Sequence, residues 1–314
     1  MDKPKTALPP IDTFVKGIFK QLRLTNFVKK PPLVLVNGVA EQYESWYFNV
    51  TSLSEHFVVH WPNFYLFKED NYLKELSKVS VDWVVDRVKN YLDSYITTPP
   101  YYLVASSSGC QTTATLASKY PELVSKLVMI CPSGLGGDEN LPVIEGVTKR
   151  DLSGMISAIF HDKKNFAIDE IVQILKERFE NKKWRFGFVR MAQVTKKNNI
   201  LEHLTKLNCP VLFLCGEEDQ IIPIWQAYRA AQMMRDAGRD LWMIVIPKCG
   251  HAPQIERAQT TNRYIRKFWN GSLFKKTEKH RFWRDESGLL IPFDLDKAAK
   301  KALSKAGRLE TVVA

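Results

Sequence analysis

The chain has 314 residues, of which 45% are hydrophobic and 25% are charged, and its formal net charge is +11. This length suits one large domain or two small ones, and the composition excludes disordered, collagen-like and coiled-coil proteins. Residues 1–32 carry net +5 and residues 271–314 carry net +4, which leaves +2 for residues 33–270. A nucleic-acid-binding fold needs a basic face on its body, so we expect no nucleic-acid partner.

The first 32 residues form a basic extension with amphipathic character. Apolar residues recur at helical spacing over 11–22, and basic residues fall off this stripe. The predicted helix either packs on its own domain or on a second subunit, as in a homodimer, or contacts an anionic membrane or an acidic partner through residues 1–30. The segment lacks the apolar region of a secretory signal, and no run of 18 apolar residues exists. We therefore expect a cytoplasmic protein, with peripheral membrane contact as an alternative.

Short apolar runs alternate with helical patterns through the body of the chain. Helices are predicted over 80–95 and 109–119, and buried strands over 33–36, 57–59, 101–105, 127–130, 211–214 and 242–246. This alternation predicts an α/β fold whose mostly parallel sheet carries helices on both faces. The five cysteines include no CxxC pair, so we interpret them as reduced core thiols.

The stretch 135–205 interrupts this rhythm with helical patterns alone, over 152–160, 168–179 and 186–194. Because it is too long for a simple connection, we predict a helical lid inserted after the fourth recognisable strand. The alternation of strand and helix patterns ends after Trp269. Beyond that residue we expect only a helix over 295–305. The predicted organisation is therefore an extension over 1–32, a core over 33–134 and 206–269, a lid over 135–205 and a basic C-terminal extension over 271–314.

Three consecutive serines join a predicted strand to the helix that follows it. A nucleophilic serine on such a tight turn needs small residues two positions before it and two positions after it. Ser107 has the small residues Ala105 and Gly109 at these two positions. Ser106, in contrast, has the bulky Val104 two positions before it. Ser107 is the best candidate nucleophile, and a helix-capping role for the serines is the alternative.

Two later strands are also followed by polar side chains. Asp219 comes shortly after the strand at 211–214, and His251 shortly after the strand at 242–246. Ligands of open α/β sheets bind at the carboxyl ends of the strands, so these side chains are expected at one site. Glu217 and Glu218 adjoin Asp219 and compete with it for the role of the acid.

These motifs resemble those of lid-bearing α/β-hydrolases over about residues 33–269, in the branch of esterases and meta-cleavage product (carbon–carbon bond) hydrolases. The likeness is carried by four segments, 33–38, 103–110, 211–223 and 250–256. The order Ser107, Asp219, His251 is the order of the family's triad. Asp219 also holds the family's position for the acid, before an apolar-apolar-Pro turn.

The resemblance implies nucleophilic acyl transfer without a metal or a cofactor. Ser107 would attack a carbonyl carbon, His251 would take and return its proton, and Asp219 would orient the imidazole. The backbone N–H groups of Val39 and Ser108 would form the oxyanion hole. The expected substrate pocket is lined by loop and lid residues, namely Asn37, Gly38, Trp184 and Phe188.

The chain departs from the family pattern at Asn37-Gly38, where a His-Gly pair is usual, and at residues 60–65, where a glycine-rich loop is usual.

We expect a serine hydrolase that cleaves an ester or related carbonyl bond of a small apolar substrate. An acyltransferase or thioesterase with the same triad, a carbon–carbon bond hydrolase and a non-catalytic binding protein are the alternatives.

Overall fold

The computed structural model describes residues 30–39, 41, 43–65, 78–96, 99–136, 146, 149, 151–166, 169–273 and 281–307. One sheet runs through these residues, with the order β2-β1-β3-β4-β5-β6-β7-β8. The pairings from β2 to β7 are parallel, and β7 pairs with β8 antiparallel. The strands are β1 (Pro32–Val36), β2 (Val58–His60), β3 (Tyr101–Ser106), β4 (Val124–Ile130), β5 (Val211–Gly216), β6 (Leu241–Ile246), β7 (Phe282–Glu286) and β8 (Leu289–Pro292).

The α-helices are α1 (Tyr47–Ser54), α2 (Val81–Tyr95), α3 (Ser108–Lys119), α4 (Leu152–Ile159), α5 (Lys163–Phe166), α6 (Asp169–Glu180), α7 (Lys182–Lys197), α8 (Leu201–Leu204), α9 (Ile224–Asp236), α10 (Pro253–Glu256), α11 (Ala258–Trp269) and α12 (Leu295–Lys305). Short 3-10 turns lie at Tyr43–Trp46 and Pro121–Leu123.

The sheet is covered on both faces, which confirms the predicted fold class. Along β1, Leu33 and Leu35 belong to one buried apolar cluster, together with residues of α1 and α11. Val34 and Val36 belong to the other cluster, together with residues of α2, α3, α9 and α12. Apolar side chains are needed on both sides of such a strand, which explains the continuous apolar runs that made β1 to β6 predictable.

The chain reverses direction across the sheet between β1 and β3. From β1 it passes to β2 at the edge, then returns to β3 on the other side of β1. The helices that follow β1 and β3, which are α1 and α3, therefore lie on opposite faces of the sheet. A topological switch point of this kind is where open α/β sheets bind ligands.

Helices α4 to α8 fill the stretch between β4 and β5, where helical patterns alone were predicted. Aromatic rings pack at the junction of α6 and α7: Phe179 lies 4.9 Å from Trp184, and Trp184 stacks on Phe188 at 5.0 Å. All three side chains are buried. The role of these helices as a lid stays a prediction.

The C-terminal segment contributes to the sheet, so the expectation that sheet rhythm ends at Trp269 was wrong. Strand β7 pairs with β6 through Ile244 and Trp283, and the side chain of Trp283 is buried. Strand β7 has two apolar residues followed by three charged ones, so it was hidden from a search for continuous apolar runs. A two-residue turn of Ser287 and Gly288, with φ of 54° and 98°, was the missed signal of a hairpin. Helix α12 lies where a helix over 295–305 was predicted.

Asp285 joins β7 to helix α11. Its Oδ2 accepts hydrogen bonds from the hydroxyl of Tyr264 at 2.7 Å and from Nη2 of Arg263 at 3.1 Å. Replacing Asp285 with alanine leaves the Tyr264 hydroxyl without this acceptor, so we expect the free energy of unfolding to fall by about 2 kcal/mol. Urea denaturation followed by circular dichroism measures this change. Glu286→Ala is the matched control, because its carboxylate is exposed and a surface ion pair contributes less than about 1 kcal/mol. An equal loss in both variants would contradict the anchoring role of Asp285.

The predicted N-terminal helix lies outside the described residues, so its contact with a membrane, an acidic partner or a second subunit stays a prediction. No helix of the described part of the chain is long and apolar enough to cross a membrane. All five cysteines are buried and none forms a disulfide.

Candidate active site

Ser107 occupies a strained turn between β3 and α3, at the switch point of the sheet. Its φ of 50° and ψ of −124° lie in a region that residues other than glycine rarely adopt. A Cβ atom at Gly109 would lie 2.5 Å from the carbonyl oxygen of Val36, so no larger residue fits two positions after Ser107. The structure therefore has the steric crowding around the turn that favoured Ser107 over the neighbouring serines.

The three consecutive serines have three different partners. Ser106 Oγ donates to Glu41 Oε2 at 2.5 Å, and Ser108 Oγ accepts from the backbone N–H of Val39 at 2.8 Å. Ser107 Oγ lies 2.9 Å from Nε2 of His251. Ser107 is thus the serine of this run that contacts the imidazole.

His251 and Asp219 complete a linear chain of hydrogen bonds. Nδ1 of His251 lies 2.8 Å from Oδ2 of Asp219, and both side chains are buried. The other carboxylate oxygen of Asp219 accepts the backbone N–H groups of Ile221 at 2.8 Å and Ile222 at 2.9 Å. These bonds orient the carboxylate toward the imidazole, so the apolar-apolar-Pro turn positions the acid.

The two rival carboxylates have other partners. Glu217 pairs with Arg284 of β7. Glu218 accepts the backbone N–H of Cys249 at 2.9 Å. The structure thus brings Asp219, and neither of its acidic neighbours, into contact with His251.

The loop after β1 approaches the nucleophile as predicted, but one expected oxyanion donor is engaged. The N–H of Val39 donates to the hydroxyl of Ser108, so this hydroxyl has to rotate away before Val39 can bind an oxyanion. Asn37 is buried, and its amide donates to the carbonyl oxygens of Gly38 at 3.0 Å and Glu41 at 2.9 Å. Its side chain thus shapes the loop that was expected to line the pocket.

Glu41 is a site residue that the sequence analysis missed. A Cβ atom at Gly38 would lie 2.9 Å from Cβ of Ser107 and 3.0 Å from Oε1 of Glu41, so both groups pack against this glycine. Burial raises the pKa of Glu41 above its ordinary value, while Ser106 and His251 oppose that rise. The available signal was an acidic residue three positions after the glycine of a strand-end turn.

Trp184 and Phe188 were expected in the pocket. The structure places both in the aromatic cluster with Phe179, where Phe179 and Phe188 lie 5.2 Å apart. Their described ring contacts are with this cluster and not with Ser107. Their part in substrate binding stays a prediction.

The loop that carries His251 is bonded to the end of helix α4. The N–H of His251 donates to the carbonyl oxygen of Ile159 at 2.7 Å. The buried carboxylate of Glu256 accepts the N–H groups of Gly250 at 2.7 Å and Asp162 at 2.6 Å. The inserted helices therefore help to hold the imidazole in place.

One group of described side chains could in principle hold a metal ion: potential ligand atoms of Cys131, Asp219 and His251 lie within 4.8 Å of one another. Burial raises the pKa of the Cys131 thiol well above its ordinary value, and a metal-binding cysteine has to lose its proton. Asp219 and His251 are already bonded to each other. The arrangement is therefore suited to proton transfer rather than to metal binding.

Comparison with known proteins agrees with this architecture. A family model described as the alpha/beta hydrolase fold matches residues 31–258. The chain belongs to this family. The family's fold is the one predicted from the sequence, and β7 and β8 lie beyond the matched residues.

Relatives with known activities are distant but cover most of the chain. Human monoacylglycerol lipase ABHD6 is 22% identical over 259 residues, which are 75% of this chain and 74% of the lipase. The 2-hydroxy-6-oxo-6-(2'-aminophenyl)hexa-2,4-dienoic acid hydrolase of Metapseudomonas resinovorans is 24% identical over 267 residues, which are 79% of this chain and 87% of that enzyme.

Solved structures share the fold. A meta-cleavage product hydrolase from Pseudomonas fluorescens has a TM-score of 0.67 and 20% identity, covering 77% of this chain and 91% of that one. A bacterial membrane phospholipase A has a TM-score of 0.62 and 20% identity, covering 78% of this chain and 80% of that one. This chain is an enzyme of the α/β-hydrolase family.

Proposed function

We propose that this enzyme is a serine hydrolase that cleaves esters of small, uncharged, apolar substrates. The hydrogen-bonded chain from Asp219 through His251 to Ser107, with distances of 2.8 Å and 2.9 Å, is the observation that supports it. A buried carboxylate orients the imidazole, and the imidazole contacts a hydroxyl on a strained turn. This is the arrangement that activates a serine for attack on a carbonyl carbon.

The reaction has two acyl-transfer steps. As Ser107 Oγ attacks the carbonyl carbon, its proton moves to Nε2 of His251, and Asp219 stabilises the imidazolium that forms. The imidazolium then protonates the leaving alkoxide, which departs as an alcohol and leaves an ester on Ser107. In the second step His251 takes a proton from water, the hydroxide attacks this ester, and the proton returns to Ser107 as the acid is released.

The negative charge of each tetrahedral intermediate needs hydrogen-bond donors. The N–H of Ser108 lies at the start of α3, where the positive end of the helix dipole also stabilises an anion. The N–H of Val39 becomes the second donor when the Ser108 hydroxyl rotates away. Such a donor contributes about 3 kcal/mol of transition-state stabilisation.

The carboxylate of Glu41 favours uncharged substrates over anionic ones. It packs against Gly38 beside Ser107, so the ionised form of Glu41 would repel a substrate carboxylate near the reacting bond. The relatives include a lipase of monoacylglycerol and a hydrolase of a dienoic acid, and the second name denotes an acidic substrate. The position of Glu41 supports the ester-cleaving alternative.

Two esters of matched size test this proposal. We expect kcat/KM for p-nitrophenyl butyrate to exceed that for p-nitrophenyl hemisuccinate by about tenfold or more, because the second ester differs mainly by its terminal carboxylate. Release of p-nitrophenol measures both rates. Equal rates for the two esters would contradict the proposed preference for uncharged substrates. Faster turnover of a 2-hydroxy-6-oxo-dienoate would instead identify a carbon–carbon bond hydrolase.

A further inference from the structure

Glu41 accepts hydrogen bonds from several segments at once. Its Oε2 accepts from Oγ of Ser106 at 2.5 Å, from Oγ of Ser45 at 3.2 Å and from Nε2 of Gln254 at 3.2 Å. Its backbone carbonyl oxygen accepts from the amide of Asn37 at 2.9 Å. A single acidic residue is thus bonded at both its backbone and its side chain.

The segments bonded to Glu41 are those that carry the candidate site. Ser106 directly precedes Ser107, Gln254 follows His251 by three residues in helix α10, and Gly38 begins the oxyanion loop. Gly38 also packs against the carboxylate, since a Cβ atom there would lie 3.0 Å from Oε1 of Glu41. Glu41 therefore connects the nucleophile, the imidazole and the oxyanion loop, which lie on three separate parts of the chain.

His251 contacts one carboxylate and interacts electrostatically with a second. Three of its neighbours lie at the carboxyl ends of strands: Asp219 after β5, Cys131 after β4 and Ser107 after β3. The second carboxylate, with which His251 interacts electrostatically, is that of Glu41. Two other titratable groups described near Glu41 are Tyr65 and Cys110, whose neutral forms are favoured by burial. Burial raises the pKa of Glu41 and the protonated imidazole opposes this rise, so Glu41 and His251 favour each other's ionised form.

We propose that Glu41 is a positioning residue of the active site: its carboxylate holds the oxyanion loop against Ser107 and favours the imidazolium of His251 that forms during acyl transfer. This role rests on the proposed serine-hydrolase function. It differs from the role of Asp219, which binds Nδ1 directly, because Glu41 acts through its charge and through the segments that it connects.

The rate of labelling by a fluorophosphonate probe, measured against pH, tests the proposal without a known substrate. The rate rises with pH as His251 loses its proton and becomes a base. A nearby negative charge favours the protonated form, so its removal in Glu41→Gln is expected to move the midpoint of this rise to lower pH by about one unit. Glu44→Gln is the matched control, since Glu44 is three residues away and pairs with Arg178 at 2.8 Å. Its midpoint is expected to equal that of the wild type.

A second variant separates charge from shape. Glu41→Asp keeps the negative charge with a shorter side chain, so labelling is expected to slow while the midpoint stays at the wild-type pH. It also serves as the test if Glu41→Gln does not fold, because a midpoint that moves in Glu41→Asp would overturn the role of charge. An unchanged midpoint in folded Glu41→Gln would overturn the proposal as well. Absence of labelling in the wild type would instead refute the serine-hydrolase function itself.

Discussion

Replacing Ser107 with alanine is expected to abolish ester hydrolysis, lowering kcat by at least about 10⁴-fold, and to abolish covalent labelling by a fluorophosphonate. The physical reason is that, of the three consecutive serines, Ser107 is the one bonded to the imidazole, whereas Ser106 and Ser108 bond to Glu41 and Val39. Gel fluorescence after labelling and p-nitrophenyl ester hydrolysis measure the two losses. Mass spectrometry of the labelled wild type should place the adduct on Ser107.

Ser304→Ala is the matched control for this experiment, because Ser304 is exposed on α12 and none of the site residues described above lies on that helix. It should be labelled at the wild-type rate. Labelling of Ser107→Ala at that same rate would show that another residue is the nucleophile. Circular dichroism of each variant separates loss of chemistry from loss of fold.

Replacing Asp219 with asparagine is expected to lower kcat by about 10⁴-fold with little change in structure. Asparagine has nearly the shape of aspartate but is uncharged, and its amide group can donate to Nδ1 of His251. That bond favours the tautomer with its proton on Nε2, which cannot accept the proton of Ser107. The imidazolium would also lose its ionic partner.

Glu217→Gln and Glu218→Gln provide neighbouring controls, because each removes a carboxylate from the same turn. Glu217 pairs with Arg284 and Glu218 accepts the N–H of Cys249, so neither change alters the partner of His251 directly. We expect each to lower kcat by less than about tenfold. A loss in either one as large as that of Asp219→Asn would assign the acid to that residue instead.

The parts of the molecule predictable from sequence are those that local sterics and burial determine. A strand covered on both faces needs an unbroken apolar run, which made β1 to β6 visible. The turn at Ser107 admits only small flanking residues, and this selected one serine among three. The family resemblance then singled out Asp219 from an acidic run of three, and the structure places its carboxylate on two N–H groups of the following turn.

Features that depend on contacts between distant segments were not predictable in this way. Strand β7 buries one apolar and one charged side chain, Trp283 and Asp285, because β6 pairs with the strand and Tyr264 of α11 bonds to Asp285. Neither partner can be identified from the local sequence. Glu41 is surrounded by groups far away in sequence, including Gln254. Trp184 and Phe188 are aromatic at helical spacing, which fits the interior of the inserted helices as well as a pocket.

The strained backbone at Ser107 sets the stability of the fold against the reactivity of the side chain at this position. A φ of 50° with a ψ of −124° disfavours any side chain with a Cβ atom, at a cost of about 1 kcal/mol or more. Glycine adopts such angles without this strain. Position 107 is thus a place where resistance to unfolding and chemical reactivity favour different amino acids. Stability of the fold alone favours glycine here, whereas the proposed reaction requires the serine.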